Sequence, residues 1–166
     1  PGARGCEIPL LYFGAKHFED MGYEKRFVSY PANREITLEN LLDNALEILR
    51  GIDWKEYEDV VFIAKSIGTV VCGKAKEMLG IPAKLVLYTP LEQTLAYIRK
   101  DNEVILVAMG DEDPYLAAPR LMQHCEKEEI RCHIESGVGH RMEVTGDLQR
   151  NLEIVFRVVR HLDGCI

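Results

Sequence analysis

Short runs of unbroken apolar residues, separated by stretches with helical spacing, constrain this chain more than any other feature. The runs stand at residues 8–13, 26–30, 60–64, 84–88, 104–109 and 132–135. Most are dense in Val, Ile, Leu, Phe and Tyr rather than alternating apolar with polar. A strand with one wet face alternates, whereas a strand covered on both faces does not. The runs therefore predict about six strands in a mostly parallel sheet, covered by helices on both sides.

The intervening segments supply those helices. Leu38, Leu41, Leu42, Ala45, Leu46 and Leu49 repeat at helical spacing, so one stripe faces the sheet. Thr37 suits its N-cap and Gly51 its stop. A second helix is predicted over 67–79, ended by Gly80 with Pro82 beyond. A third covers about 114–127. The last carries an apolar stripe of Leu148, Leu152, Val155, Phe156, Val159 and Leu162, and Gly164 ends it. Shorter helical turns are expected at 17–21 and 91–98. The whole is a three-layer α/β/α sandwich, read as one domain over residues 1–166.

Composition narrows the function. Apolar residues make up 47% of the chain, enough for one sizeable core, and the net charge is −7. An acidic chain without a basic run is a poor ligand for nucleic acid or an acidic membrane surface. No apolar stretch reaches the length of a membrane span, and no secretory leader pattern stands at the start, which is Pro1. Cys6, Cys72, Cys125, Cys132 and Cys165 are odd in number and form no CxxC pair. That usage points to reduced thiols and a cytoplasmic setting, with no disulfide framework, metal site or cofactor.

In open parallel sheets, ligands bind beyond the carboxyl ends of the strands. Three of the loops there carry chemistry. After 60–64 the chain reads Lys65-Ser66-Ile67-Gly68-Thr69, a strand turning into a helix with Ser at the corner. After 104–109 it reads Gly110-Asp111-Glu112-Asp113-Pro114. After 132–135 it reads Ser136-Gly137-Val138-Gly139-His140. Each has a plain alternative. Ser66 suits a helix N-cap, Asp113 before Pro114 suits another, and a His in a glycine-rich loop is often only a surface residue.

Together the three loops resemble the α/β-hydrolase superfamily. Ala64-Lys65-Ser66-Ile67-Gly68 is similar to its nucleophile elbow, G-x-S-x-G, with Ala64 in place of the first glycine. Gly110 to Asp113 matches the G-x-x-D of its acid loop. Gly137 to His140 matches its glycine-rich histidine loop. The resemblance implies Ser66 as nucleophile, His140 as base and Asp113 as the orienting acid, with Asp111 the fallback. The backbone N–H of Ile67 would be one oxyanion donor. The other should follow the first strand of the core, here 8–13, where Ala15 is the choice and Gly14 the alternative. Phe13 stands where the superfamily often has His. The implied strand order is 4-3-5-6-7-8, without the first two strands of fuller members. Lys65 is expected to be solvated, and Glu112 to face solvent. Of the remaining histidines, His124, His133 and His161 are set aside, and His17 sits nearest the expected site mouth.

The leading reading is a serine hydrolase cleaving a small carboxylic ester or thioester, its partner a small-molecule acyl substrate. The short stretch between Tyr88 and Glu103 leaves little room for a lid. The runner-up is a non-catalytic hydrolase-like binding or scaffold protein. A nucleotide-binding domain ranks low, because Phe13-Gly14-Ala15-Lys16 has neither phosphate-binding pattern. An exposed edge strand at 26–30 would invite pairing into a homodimer.

Overall fold

The computed structural model describes residues 5–30 and 35–165. Five helices and four strands follow in the order α1 (Pro9–Asp20), α2 (Leu38–Arg50), β1 (Val60–Lys65), α3 (Ile67–Leu79), β2 (Ala83–Tyr88), β3 (Val104–Gly110), α4 (Ala118–Lys127), β4 (Cys132–Glu135) and α5 (Leu148–Arg160). The sheet is parallel throughout, in the sequential order β1-β2-β3-β4.

Each element has a local cause. Thr37 caps α2 as expected, its Oγ1 accepting from Asn40 N at 3.1 Å. Gly80 ends α3 in the left-handed conformation, φ 62°, which costs glycine nothing. Side chains of the strands alternate between two cores. Val86, Tyr88, Leu106 and Ala108 face α1 and α5, while Leu85, Leu87, Val107 and Met109 face the opposite side with Leu121 and Cys125 of α4. A third cluster joins α2 to α3. The three-layer α/β fold is therefore present.

Its sheet has four strands, not six. Residues 8–13 open helix α1 instead of forming a strand. Pro9 sits at the start of the helix, where its fixed φ and missing N–H are tolerated. Leu10, Gly14 and Phe18 are buried at four-residue spacing, while Tyr12 and Phe13 are exposed. A short apolar run is compatible with either period, and here the helical one wins. Residues 26–30 are outside every ladder, with Arg26 and Phe27 exposed. The order 4-3-5-6-7-8 thus reduces to its last four members, and the edge strand expected at 26–30 is not formed. β1 is an edge of the sheet instead, only half-buried beside the nearly fully buried β2. A cavity of about 2070 Å³ lies along that edge, between β1 and residues 22–30, and reaches Ser66 and His140.

Two helices differ in detail. α4 begins at Ala118, after a turn over 114–116. In α5 the buried positions are Ile154 and Val158, with Leu162 beyond its end, whereas Leu148, Leu152 and Phe156 are exposed. The predicted stripe mixed two faces of one helix. Arg150 and Arg157 on α5 reach the buried Glu135 at the end of β4.

Candidate active site

Ser66 lies between the last residue of β1 and the first of α3. Its backbone has φ 57° and ψ −131°, a region that non-glycine residues seldom adopt. Such a conformation costs on the order of 1–3 kcal/mol and persists only where its surroundings enforce it. They do so here. Ser66 N donates to Tyr88 O at 3.0 Å, extending the ladder by one residue. Its carbonyl accepts from Thr69 N at 2.9 Å and from Thr69 Oγ1 at 2.6 Å. Thr69 is buried and bonded in turn to Thr94. The side chain makes no capping bond to α3, so the plain N-cap reading does not describe it. A Cβ added at Gly68 would meet only Ala64 Cβ, at 3.9 Å. The crossing of strand and helix is less crowded than small residues at 64 and 68 suggest.

Two further loops converge on the Ser66 hydroxyl. His140 Nε2 is 2.7 Å from Ser66 Oγ, and its Nδ1 is 2.7 Å from Asp113 Oδ2. A carboxylate at Nδ1 places the ring proton there and leaves Nε2 to accept from the serine O–H. The Asp113 side chain is completely buried, and its Oδ1 accepts from Tyr115 N at 2.9 Å. Both carboxylate oxygens are thereby satisfied, as a buried charge requires. The turn that makes this capping bond is also what aims Oδ2 at the imidazole.

Asp111 has a different task. Its carboxylate accepts from Gly137 N at 2.7 Å and from Ser136 Oγ at 3.0 Å. These bonds, the Gly137 N–H foremost, hold the Asp111 carboxyl below its ordinary range. It pins the histidine loop and does not touch His140. Glu112 is exposed, while its N–H donates to Val138 O at 3.0 Å. Gly110 allows the two loops to pass: a Cβ there would lie 2.0 Å from Val138 O. Just before the loop, Glu135 anchors the end of β4. Burial works to raise its pKa, but bonds from Arg157 and His133 outweigh that and hold it low.

Lys65 departs from expectation. It is half-buried, and its Nζ donates to His140 O at 2.6 Å and to Thr89 Oγ1 at 3.0 Å. Burial pushes its pKa down to about 8, opposed by the charges of Asp113 and Glu143. Tyr115 adds an aromatic edge, its ring 4.6 Å from that of His140 at 70°. Neither residue was anticipated at the site. Tyr115 could have been suspected from its place two residues after Asp113.

Ile67 opens α3, where helix geometry leaves the first N–H groups without intrahelical partners. That N–H and the positive end of the helix dipole are available at the serine. Ala15 is not a comparable donor. It lies inside α1, where its N–H belongs to the helical ladder. Gly14 fails for the same reason. Its role is packing, since a Cβ there would lie 3.0 Å from Tyr88 OH. The other histidines have partners elsewhere: His17 is near Asp163, His124 bonds Ile98 O, and His133 packs at a tilt against His161. Among the described residues no group of three or more His, Cys, Asp or Glu side chains is placed to hold a metal ion. All five cysteines are free thiols. No described helix is long and apolar enough to cross a membrane.

No family model matches the chain, and no curated protein matches it in sequence. Solved structures do match it in shape. An α/β serine hydrolase homologue from Coxiella burnetii superposes with TM-score 0.67 at 16% identity, over 95% of this chain and 78% of that one. A member of the α/β serine hydrolases without a lid, from Xanthomonas campestris, gives 0.62 at 14% identity, over 95% and 74%. Est1E from Butyrivibrio proteoclasticus gives 0.58 at 12% identity, over 98% and 86%. The fold is that of the α/β hydrolases.

Proposed function

We propose that this chain is a serine hydrolase that cleaves a small carboxylic ester or thioester through a covalent acyl-enzyme. The observation that carries the reading is the continuous line from Ser66 Oγ through His140 to Asp113, both links 2.7 Å long. The names of the structural neighbours agree with it.

The roles follow from the geometry. His140 Nε2 takes the serine proton as Oγ attacks the acyl carbon. Asp113 holds the ring in the required tautomer and stabilises the imidazolium through Nδ1–H. The Ile67 N–H faces the negative oxygen of the tetrahedral intermediate. When that intermediate collapses, His140 returns the proton to the leaving alkoxide or thiolate. Water then repeats the sequence and releases the acid. Residues 89–103 contain only two 3₁₀ turns, too little for a lid to be inserted at that point of the fold. The cavity wall near it carries Leu91 and Tyr115, suited to a short apolar acyl group.

A second reading, a non-catalytic hydrolase-like binding protein, is favoured by one observation: the N–H of Ala15 is spent inside α1. A fluorophosphonate probe separates the two. The hydrolase carries the label on Ser66, located by mass spectrometry, and loses it in His140→Ala. Well-folded wild-type protein that takes no label at Ser66 is the binding protein.

A further inference from the structure

Lys65 is the residue next to the nucleophile candidate, yet its side chain does not leave for solvent. It bridges three segments that are remote in sequence. Its backbone ends β1, its Nζ bonds the hydroxyl of the fully buried Thr89 beyond β2, and the same Nζ bonds the main-chain oxygen of His140. The loop that carries His140 has no regular structure. Asp111 and Glu112 fasten it at Gly137 and Val138, and Asp113 holds the ring. Lys65 is what fastens the main chain at His140 itself, from the very turn that presents Ser66.

We propose that Lys65 is a positioning residue that clamps the His140 backbone to the Ser66 turn and so sets the approach of Nε2 to Oγ. The inference rests on the hydrolase reading and deepens it. An ammonium-to-carbonyl bond is charge-assisted and about twice as strong as its neutral counterpart. The clamp is therefore tightest with Lys65 protonated. The charged groups facing it are Asp113 and Glu143, both acidic, and both favour that form. Burial opposes them and places the loss of the proton near pH 8. The sign is fixed: a cation that holds the site together is present below that value and lost above it. Turnover should decline on the alkaline side, with the acyl-binding surface little changed.

The test is the pH dependence of p-nitrophenyl acetate hydrolysis by wild type, Lys65→Met and Lys65→Arg. Displacing a reacting group by about 1 Å can cost 10²-fold in rate. Lys65→Met should accordingly lose about tenfold to a hundredfold in kcat, with KM within about twofold, and should show no decline near pH 8. Lys65→Arg should recover most of the rate and keep it through pH 9, because guanidinium does not titrate there. A Lys65→Met enzyme with wild-type kcat, or one that is slow but still declines near pH 8, overturns the proposal. A second readout is independent of turnover and of the substituted proteins. The proton between His140 Nδ1 and Asp113 should give a downfield NMR signal in wild type that broadens as the pH passes 8. A signal that stays unchanged while the Lys65 amine itself loses its proton, followed by the NMR shift of its ε-carbon, overturns the clamp. Failure of the hydrolase reading is recognised separately, by wild-type protein that neither turns over the ester nor takes a fluorophosphonate at Ser66.

Discussion

The loops at 110–113 and 136–140 and the N-terminal region at 5–30 contrast sharply. The two loops are short, rich in glycine and acid, and tied to each other by several directional bonds. Asp111 holds Gly137, Glu112 N–H holds Val138, and Asp113 holds His140. The N-terminal region is richer in apolar residues, yet residues 26–30 pair with no strand and three of its aromatics, Tyr12, Phe13 and Phe27, are exposed. Apolar density alone does not fix a conformation. Where glycine must accommodate a close approach and a carboxylate must find its donors, few alternatives exist.

Four substitutions sharpen that contrast, beginning with the largest effect. Asp113→Asn leaves the loop shape intact but favours the wrong histidine tautomer, and kcat should fall about 10³- to 10⁴-fold, read by steady-state ester hydrolysis. Gly110→Ala brings a Cβ to 2.0 Å from Val138 O. The backbone of one loop must move, so the variant should lose about 1–3 kcal/mol in urea unfolding, the range for overpacked sites, together with most of its activity. Asp111→Ala unpins the histidine loop without touching the relay. A drop of about tenfold in kcat is expected, far short of that for Asp113. Last, Phe13→Ser, at an exposed position of α1 that borders the cavity, should change stability by less than about 0.5 kcal/mol. A cost of several kcal/mol there would mean that residues 8–13 form a buried strand after all.

Much of this was legible in the sequence, for reasons visible at single residues. The runs at 60–64, 84–88, 104–109 and 132–135 became strands because β-rich apolar segments were bounded on both sides by turn residues or helix caps. Thr37 and Gly80 marked helix ends by their chemistry. Ser66, Asp113 and His140 could be singled out because each follows a strand and their order matched a known pattern, and the structure brings the three side chains within hydrogen-bond distance. Residues 8–13 misled because an unbroken apolar run has no visible period, and Pro9 was the one clue to a helix start. The stripe on α5 misled because its apolar residues occupy more than one face, and only the sheet selects which face is covered. Ala15 failed as an oxyanion donor with the strand it was meant to follow. Lys65 was invisible because its partner, a main-chain oxygen, is 75 residues away.

The proposed function requires that Ser66, driven by His140, becomes acylated. Rapid acid quenching of wild-type protein during p-nitrophenyl acetate turnover, followed by peptide mass spectrometry, tests it directly. One acetyl group on the peptide containing Ser66, absent in Ser66→Ala, is the predicted result. Turnover with Ser66 unmodified, or an acetyl group that persists in Ser66→Ala, would mean that Ser66 is not the nucleophile.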